Sequence, residues 1–143
     1  MSDEKLYQIA LALVPKVGSV LTRQLVAYCG SARAVLDAPR GKLLKIPGVG
    51  TYIADRLRSR EYLPKAEAEL ERAERAGVRL LYFTEPDYPE RLKRAPDSPP
   101  LLYYDGTADL NPPRTVALVG TRRATDYGRR ITENIVRDLL PYG

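Results

Sequence analysis

The chain has 143 residues, of which 44% are hydrophobic and 29% charged, a balance typical of one ordinary folded domain or two small ones. It contains no histidine and one cysteine, Cys29, which excludes an intrachain disulfide, a thiolate metal cluster and a nucleophile activated by histidine. The formal net charge of +5 suits an anionic partner, although a solvated basic face is the commoner explanation. We expect no metal and no cofactor.

The sequence also bears on the cellular location. No apolar run approaches the roughly 20 residues that cross a bilayer. The N-terminal "MSDEKLYQ" lacks the basic-then-apolar order of a secretory signal. We therefore expect a cytoplasmic protein without a membrane partner.

Residues 1–76 are predicted to form a domain of short helices. Apolar residues recur at the spacing of one helical face up to Pro15, which ends the first helix. Ser19 and Ser31 are placed to cap the second and third helices. Further helices are predicted from residue 51 and over residues 64–76, where Gly77 supplies a left-handed end.

The pattern changes after residue 77, because three short runs rich in Leu, Val and Tyr predict strands. These runs are "VRLLYF" at 78–83, "LLYYD" at 101–105 and "TVALVG" at 115–120. A proline-rich loop with one helical turn at 90–93 separates the first two, and a helix is predicted over 129–140. Residues 77–143 therefore indicate the start of an α/β domain.

This α/β segment looks unfinished, because a parallel sheet normally needs several strand-helix units to cover both of its faces. The chain ends directly after the first convincing helix of a strand-turn-helix unit. We therefore expect the chain to be part of a longer protein, or its sheet to be covered in a dimer.

A first candidate site lies in the region 33–60, where seven Lys and Arg residues face two Asp residues. Within it, "KIPGVGTYIADRL" at 45–57 resembles a helix-hairpin-helix motif, and "VPKVGSVLTRQL" at 14–25 resembles a weaker copy. Gly48 and Gly50 would let backbone amides approach a phosphate closely. The motif implies sequence-independent DNA contact that includes Lys45 and Arg56. Glycine turns of this kind also serve only to pack helices together.

A second candidate site is the stretch "VALVGTRRATDYGRR" at 116–130, which predicts a strand, a turn and a helix. Gly120 and Thr121 open the turn, and Arg122 and Arg123 follow with side chains able to bind phosphate. A dinucleotide fits poorly, because Arg122 occupies the place of the second glycine of the GxGxxG pattern. A nucleic-acid backbone fits better, unless the arginines only cover the helix or pair with Asp126.

The order "YPERL" at 88–92, "PPLLYYDG" at 99–106 and "VALVGTRRATDYG" at 116–128 resembles the DNA-processing protein A family, also called Smf. The resemblance covers essentially the whole chain. It implies a helical SAM-like, helix-hairpin-helix domain at 1–76, followed at 77–143 by the first strands and helix of an extended Rossmann-like domain. The family's Gly-Ser/Thr-Arg phosphate turn falls on Gly120, Thr121 and Arg122.

The resemblance also implies a function. Members of this family are recombination mediators rather than enzymes: they bind single-stranded DNA, dimerise, displace single-strand binding protein and load RecA during natural transformation. The expected partners are therefore single-stranded DNA, RecA, single-strand binding protein and, for the full-length protein, a second copy. Family members continue with a glycine-rich segment that lines the same pocket, and this chain ends before it.

Two other functions remain open. The Rossmann core also resembles, distantly, lysine-decarboxylase-like phosphoribohydrolases, which hold a nucleotide phosphate and cleave a glycosidic bond, but the sequence offers no convincing pair of catalytic carboxylates. The helical domain alone is also typical of a module that docks another protein.

Overall fold

The computed structural model describes residues 3–142, which contain eight α-helices and one two-stranded sheet. In chain order the elements are α1 (Asp3–Leu13), α2 (Ser19–Cys29), α3 (Ala32–Asp37), α4 (Arg40–Leu43), α5 (Thr51–Ser59), α6 (Leu63–Arg75), β1 (Arg79–Tyr82), α7 (Glu90–Lys93), β2 (Leu101–Tyr104), α8 (Asp126–Leu139) and a final 3₁₀ turn (Leu140–Tyr142). These elements form two compact units, divided between Asn111 and Pro112. No helix in the described part of the chain has both the length and the apolar character needed to cross a membrane.

The helix ends follow from the local sequence. Ser31 caps α3 as predicted, because its Oγ accepts a hydrogen bond from the Ala34 amide at 3.1 Å. Gly77 lies after α6 with a φ of 69°, the left-handed conformation predicted for it. The start of α2 differs from the prediction: the extended Gly18 takes the N-cap position, and Ser19 is the first helical residue.

The helices of the first unit surround one hydrophobic core. The long helix α1 packs against α3 and α6, and α5 packs against α3 and α4. Side chains at the centre are 0–1% exposed, among them Ile9, Leu25, Leu43 and Leu57. Burying one such side chain contributes about 1.5–3 kcal/mol before the loss of conformational entropy is counted. The short helices are therefore held by this shared core rather than by their own propensity.

The antiparallel pair β1 and β2 packs beside these helices. Side chains close the outer edge of β1, because the Lys5 Nζ donates to the Leu80 carbonyl at 2.5 Å. Glu85 accepts a hydrogen bond from the Tyr82 amide at 3.2 Å and also forms an ion pair with Lys5. This edge of β1 is therefore already occupied and cannot take another strand.

A polar cluster fixes the loop before β2 against α2. Arg23 donates to the Ser98 hydroxyl at 2.6 Å, and its guanidinium lies 4.6 Å from the centre of the Phe83 ring. The hydroxyl of the fully buried Tyr88 donates to the Pro99 carbonyl at 2.5 Å. The helices and the two strands thus belong to the same compact unit. The domain boundary predicted after residue 76 separates two kinds of fold, whereas the division at Asn111 and Pro112 separates two compact units. The predicted boundary stays a prediction.

The structure contains the first two predicted strands, the helical turn at 90–93 and the last helix. The third predicted strand is absent, because residues 115–120 pair with no segment among the described residues and Val119 is 95% exposed. An isolated strand is not stable, since its N–H and C=O groups need a neighbouring strand. The observed fold is mostly helical with a small antiparallel sheet, and the parallel Rossmann-like arrangement stays an expectation.

The substitution Tyr88→Phe tests the polar cluster, because it removes the donor to the Pro99 carbonyl without changing the buried ring. We expect the free energy of unfolding to fall by about 1–2 kcal/mol, the cost of a buried acceptor that loses its partner. Urea denaturation followed by circular dichroism measures this value. Tyr28→Phe is the matched control, because the Tyr28 side chain is 56% exposed. Equal stability of the two variants would contradict this account of the cluster.

Candidate nucleic-acid interface

Residues 11–25 and 43–57 have the same local structure. The two segments align without a gap, and the buried and exposed positions of 11–18 match those of 43–50 one for one. Gly18 has φ −84° and ψ −178°, and the equivalent Gly50 has φ −84° and ψ 176°. The weaker copy predicted from the sequence therefore has the geometry of the stronger one. We call residues 15–18 the first hairpin and residues 47–50 the second hairpin.

Each hairpin turns at a residue in the left-handed conformation. In the second hairpin this residue is Gly48, with φ +82°, and in the first it is Lys16, with φ +66°. Glycine adopts this conformation freely, whereas a residue with a Cβ atom loses about 1–2 kcal/mol in it. The left-handed turn is therefore a structural reason for the glycine at position 48. The lysine at position 16 adopts the same conformation against its own preference.

The second hairpin leads directly into the positive end of α5. The Ala54 amide donates to the Gly50 carbonyl at 3.0 Å, so the amides of residues 51–53 precede the first hydrogen bond of this helix. No atom lies within 4 Å of the place where a Cβ of Gly50 would stand, which leaves the backbone open to approach. Lys45 is exposed and has no ion pair with a described carboxylate. These groups are suited to hold an anion.

Carboxylates compensate several arginines around the second hairpin. Arg56 forms an ion pair with Glu61, and Arg40 forms one with Asp55 at 2.6 Å. Hydrogen bonds from Tyr62 and then Arg56 hold the pKa of Glu61 below its ordinary value, and a hydrogen bond from Arg40 lowers the pKa of Asp55 in the same way. The positive charge predicted for this region is therefore only partly available to a ligand.

Reasoning from the sequence missed Tyr52, the second residue of α5. Its side chain is 44% exposed, and the Lys16 Nζ lies 4.8 Å from the centre of its ring. The guanidinium carbon of Arg56 lies 5.4 Å from the same ring centre. A lysine of the first hairpin is thus brought beside the second. The available signal was the lysine that stands in the first copy where the second copy has Gly48.

In the second unit, the predicted turn is an exposed loop. Gly120, Thr121, Arg122 and Arg123 are all exposed, and a Cβ at Gly120 would meet no atom within 4 Å. The Thr121 hydroxyl donates to the Arg123 carbonyl at 3.1 Å, which orders the loop locally. Neither arginine has a carboxylate partner in the part of the chain that the structure describes. Both guanidinium groups are therefore available to an anion.

The helix after this loop begins at Asp126, before the predicted start at residue 129. Thr125 caps it, because its Oγ1 accepts from the Gly128 amide at 3.1 Å. Asp126 lies in the first turn of α8, where a carboxylate favours the positive end of the helix. The loop arginines therefore precede the helix, and Gly120 does not adjoin its first turn.

Comparison with known proteins identifies the relatives of this chain. Residues 79–143 match the family model described as DNA recombination-mediator protein A. An alignment over 146 residues is 29% identical to Protein Smf of Synechocystis sp., and it covers 99% of this chain and 37% of that relative. Over these residues the chain is similar to proteins of the DNA-processing protein A family. No solved structure matches it.

This match confirms the resemblance stated from the three sequence motifs. It assigns the loop 120–123 to the segment that matches the family model, whereas both hairpins lie before that segment. The chain spans little more than a third of the relative's length, because its coverage of that protein is 37%.

Alanine substitutions at the two glycines of the second hairpin test whether the left-handed backbone conformation or the absence of a side chain matters for stability. Gly48→Ala is expected to lower the free energy of unfolding by about 1 kcal/mol, because alanine must adopt the left-handed φ of +82°. Gly50→Ala is expected to cost less than about 0.5 kcal/mol, since its φ of −84° suits any residue and nothing lies near the new methyl group. Urea denaturation compares the two. Equal losses would show that the left-handed turn is not the decisive requirement.

Proposed function

We propose that this chain is the DNA-binding part of a recombination mediator, and that it holds single-stranded DNA without catalysing a reaction on it. The observation that carries the proposal is the exposed loop 120–123 within the segment that matches the family. Its two arginines, Arg122 and Arg123, face no carboxylate of the described chain. Two uncompensated guanidinium groups on one loop attract a polyanion.

The loop contacts the phosphate groups of the strand. A guanidinium donates two parallel hydrogen bonds to one phosphate, which fixes both position and orientation. Gly120 has no side chain to hold the strand away, and Thr121 orders the loop through its bond to the Arg123 carbonyl. Tyr127 is 66% exposed, so its ring is open to stacking with a base. Such contacts bind a single strand with little sequence preference.

The second hairpin provides a further DNA contact in this proposal. Gly48 and Gly50 present the backbone, Lys45 adds an uncompensated charge and Arg56 adds one shared with Glu61. The alternative is that the hairpin only packs helices or docks another protein. In that case, replacing Lys45 and Arg56 by alanine leaves the affinity for DNA unchanged.

For the full-length protein we propose the activities that the family resemblance implies. These are protection of incoming single-stranded DNA in the cytoplasm, displacement of single-strand binding protein, loading of RecA and formation of a homodimer. The family match supports them, because the matched family is described as a recombination mediator.

The substitution Arg122→Ala tests the loop. We expect it to weaken the binding of labelled single-stranded oligonucleotides about tenfold at low salt, and to make the salt dependence shallower by about 0.7 in the log–log slope. Fluorescence anisotropy with the unchanged chain and the variant, at several salt concentrations, measures both. Arg75→Ala is the matched control, because Arg75 lies exposed on α6 and pairs weakly with Glu71 at 4.0 Å.

Three outcomes would count against the proposal. One is a loss of affinity in Arg75→Ala equal to that in Arg122→Ala. Another is an affinity that does not change with salt, since neutralising phosphates releases counterions. The third is release of a free base from a nucleoside monophosphate by the full-length protein, which would support the phosphoribohydrolase-like enzyme instead.

A gain of affinity tests the second hairpin. Glu61→Gln removes the carboxylate that pairs with Arg56, so we expect single-stranded DNA to bind about threefold more tightly at low salt. Glu71→Gln makes the same change of charge at the ion pair with Arg75 on α6 and serves as the control. An equal gain in both variants would reflect net charge alone and would contradict a specific contact by Arg56.

A further inference from the structure

One cluster of side chains joins the two hairpins. Tyr52 stands on α5 with the Lys16 Nζ at 4.8 Å and the Arg56 guanidinium at 5.4 Å from its ring centre. Both distances lie within the range in which a cation is attracted to an aromatic ring. Lys16 and Tyr52 are exposed, so the cluster faces solvent rather than the core.

Two contacts between α2 and the second hairpin fix the position of the two hairpins relative to each other. The Gln24 Nε2, on α2, donates to the Pro47 carbonyl of the second hairpin at 3.1 Å. A Cβ at Gly48 would lie 3.6 Å from the Leu21 side chain, so this turn rests against the helix that follows the first hairpin. The two turns therefore lie on one continuous surface of the first unit.

Packing alone does not explain the lysine at position 16. The second hairpin has a glycine at the equivalent left-handed position, and glycine would also satisfy the first. A lysine in this conformation stabilises the fold less than a glycine would, and its ammonium group forms no ion pair with a described carboxylate. Its contact on this surface is instead the ring of Tyr52.

We propose that Lys16, Tyr52 and Arg56 form one contact for the phosphate backbone of a single nucleic-acid strand, with Tyr52 as the residue that positions Lys16. The inference rests on the proposed DNA-binding function and adds the first hairpin to it. Tyr52 holds the flexible lysine side chain beside the second hairpin, so that two positive charges meet the strand together. A nucleic acid fits better than an acidic peptide, because the ring of Tyr52 beside these cations is still 44% exposed and can contact a base.

Lys16→Gly is the decisive variant, because a structural and a functional role predict opposite results for it. We expect it to keep or raise the melting temperature, since glycine suits φ +66° better than lysine. We also expect it to weaken the binding of a labelled single-stranded oligonucleotide about threefold to tenfold, with a log–log salt slope shallower by about 0.7. Lys93→Gln, which removes one charge from the ion pair with Glu90 on α7, is the control and should leave both quantities unchanged.

A double-mutant cycle tests the role given to Tyr52. Tyr52→Leu keeps an apolar side chain on α5 but removes the ring that holds Lys16, and Tyr52→Phe keeps the ring. We expect Tyr52→Phe to bind like the unchanged chain, and Tyr52→Leu to lose about as much affinity as Lys16→Gly. The double variant should lose scarcely more than either single one, because both changes break the same contact. Fully additive losses would overturn the positioning role.

The outcomes separate this inference from the proposed function. If the chain binds DNA and responds to Arg122→Ala but not to Lys16→Gly, the inference is wrong and the proposed function stands. If the unchanged 143-residue chain binds no oligonucleotide, both are wrong for this chain.

If polyglutamate competes with the strand no better than sodium chloride of the same charge concentration, nucleic acid is the ligand. Strong displacement by polyglutamate would instead assign the cluster to an acidic protein, and a preference for duplex over single strands would overturn the strand type.

Discussion

The first unit depends on two tight turns that redirect the chain from one helix to the next within a few residues. Each turn needs a left-handed residue, supplied by Lys16 and by Gly48. A buried valine follows each one, Val17 at 7% and Val49 at 6% exposure, and anchors the turn to the core. Because the anchor points inward, the turn residue points outward. The same constraint that packs the helices therefore exposes the backbone and the side chain at position 16.

The helix α2 connects this arrangement to the rest of the unit. Through Gln24 it holds the second hairpin, and through Arg23 it holds the loop that precedes β2. The guanidinium of Arg23 donates a hydrogen bond to Ser98 and lies over the ring of Phe83, and both contacts hold this loop against α2. The second hairpin and the loop before β2 are thus tied to neighbouring residues of one helix.

Local chemistry explains which parts of the fold were predictable. The cap at Ser31 and the left-handed Gly77 depend on nearby residues, and the strands predicted at 78–83 and 101–105 pair with each other over 79–82 and 101–104. The strand expected at 115–120 depends on a neighbour, which a pattern of Val and Leu cannot supply. Of the candidate site, the glycines and arginines were predictable as residue types. The ion pair of Arg56 and the place of Tyr52 were not, because both depend on how separate helices pack.

The two candidate surfaces differ in how the charge of their arginines is compensated. The loop arginines meet no carboxylate of the described chain, so an anion would gain their full attraction. An anion at Arg56 would instead replace Glu61, and since exposed ion pairs contribute only about 0–1 kcal/mol, this exchange would cost little in either direction. Of the arginines in the proposed contacts, Arg56 therefore exchanges one partner for another, whereas Arg122 and Arg123 have no described carboxylate to exchange.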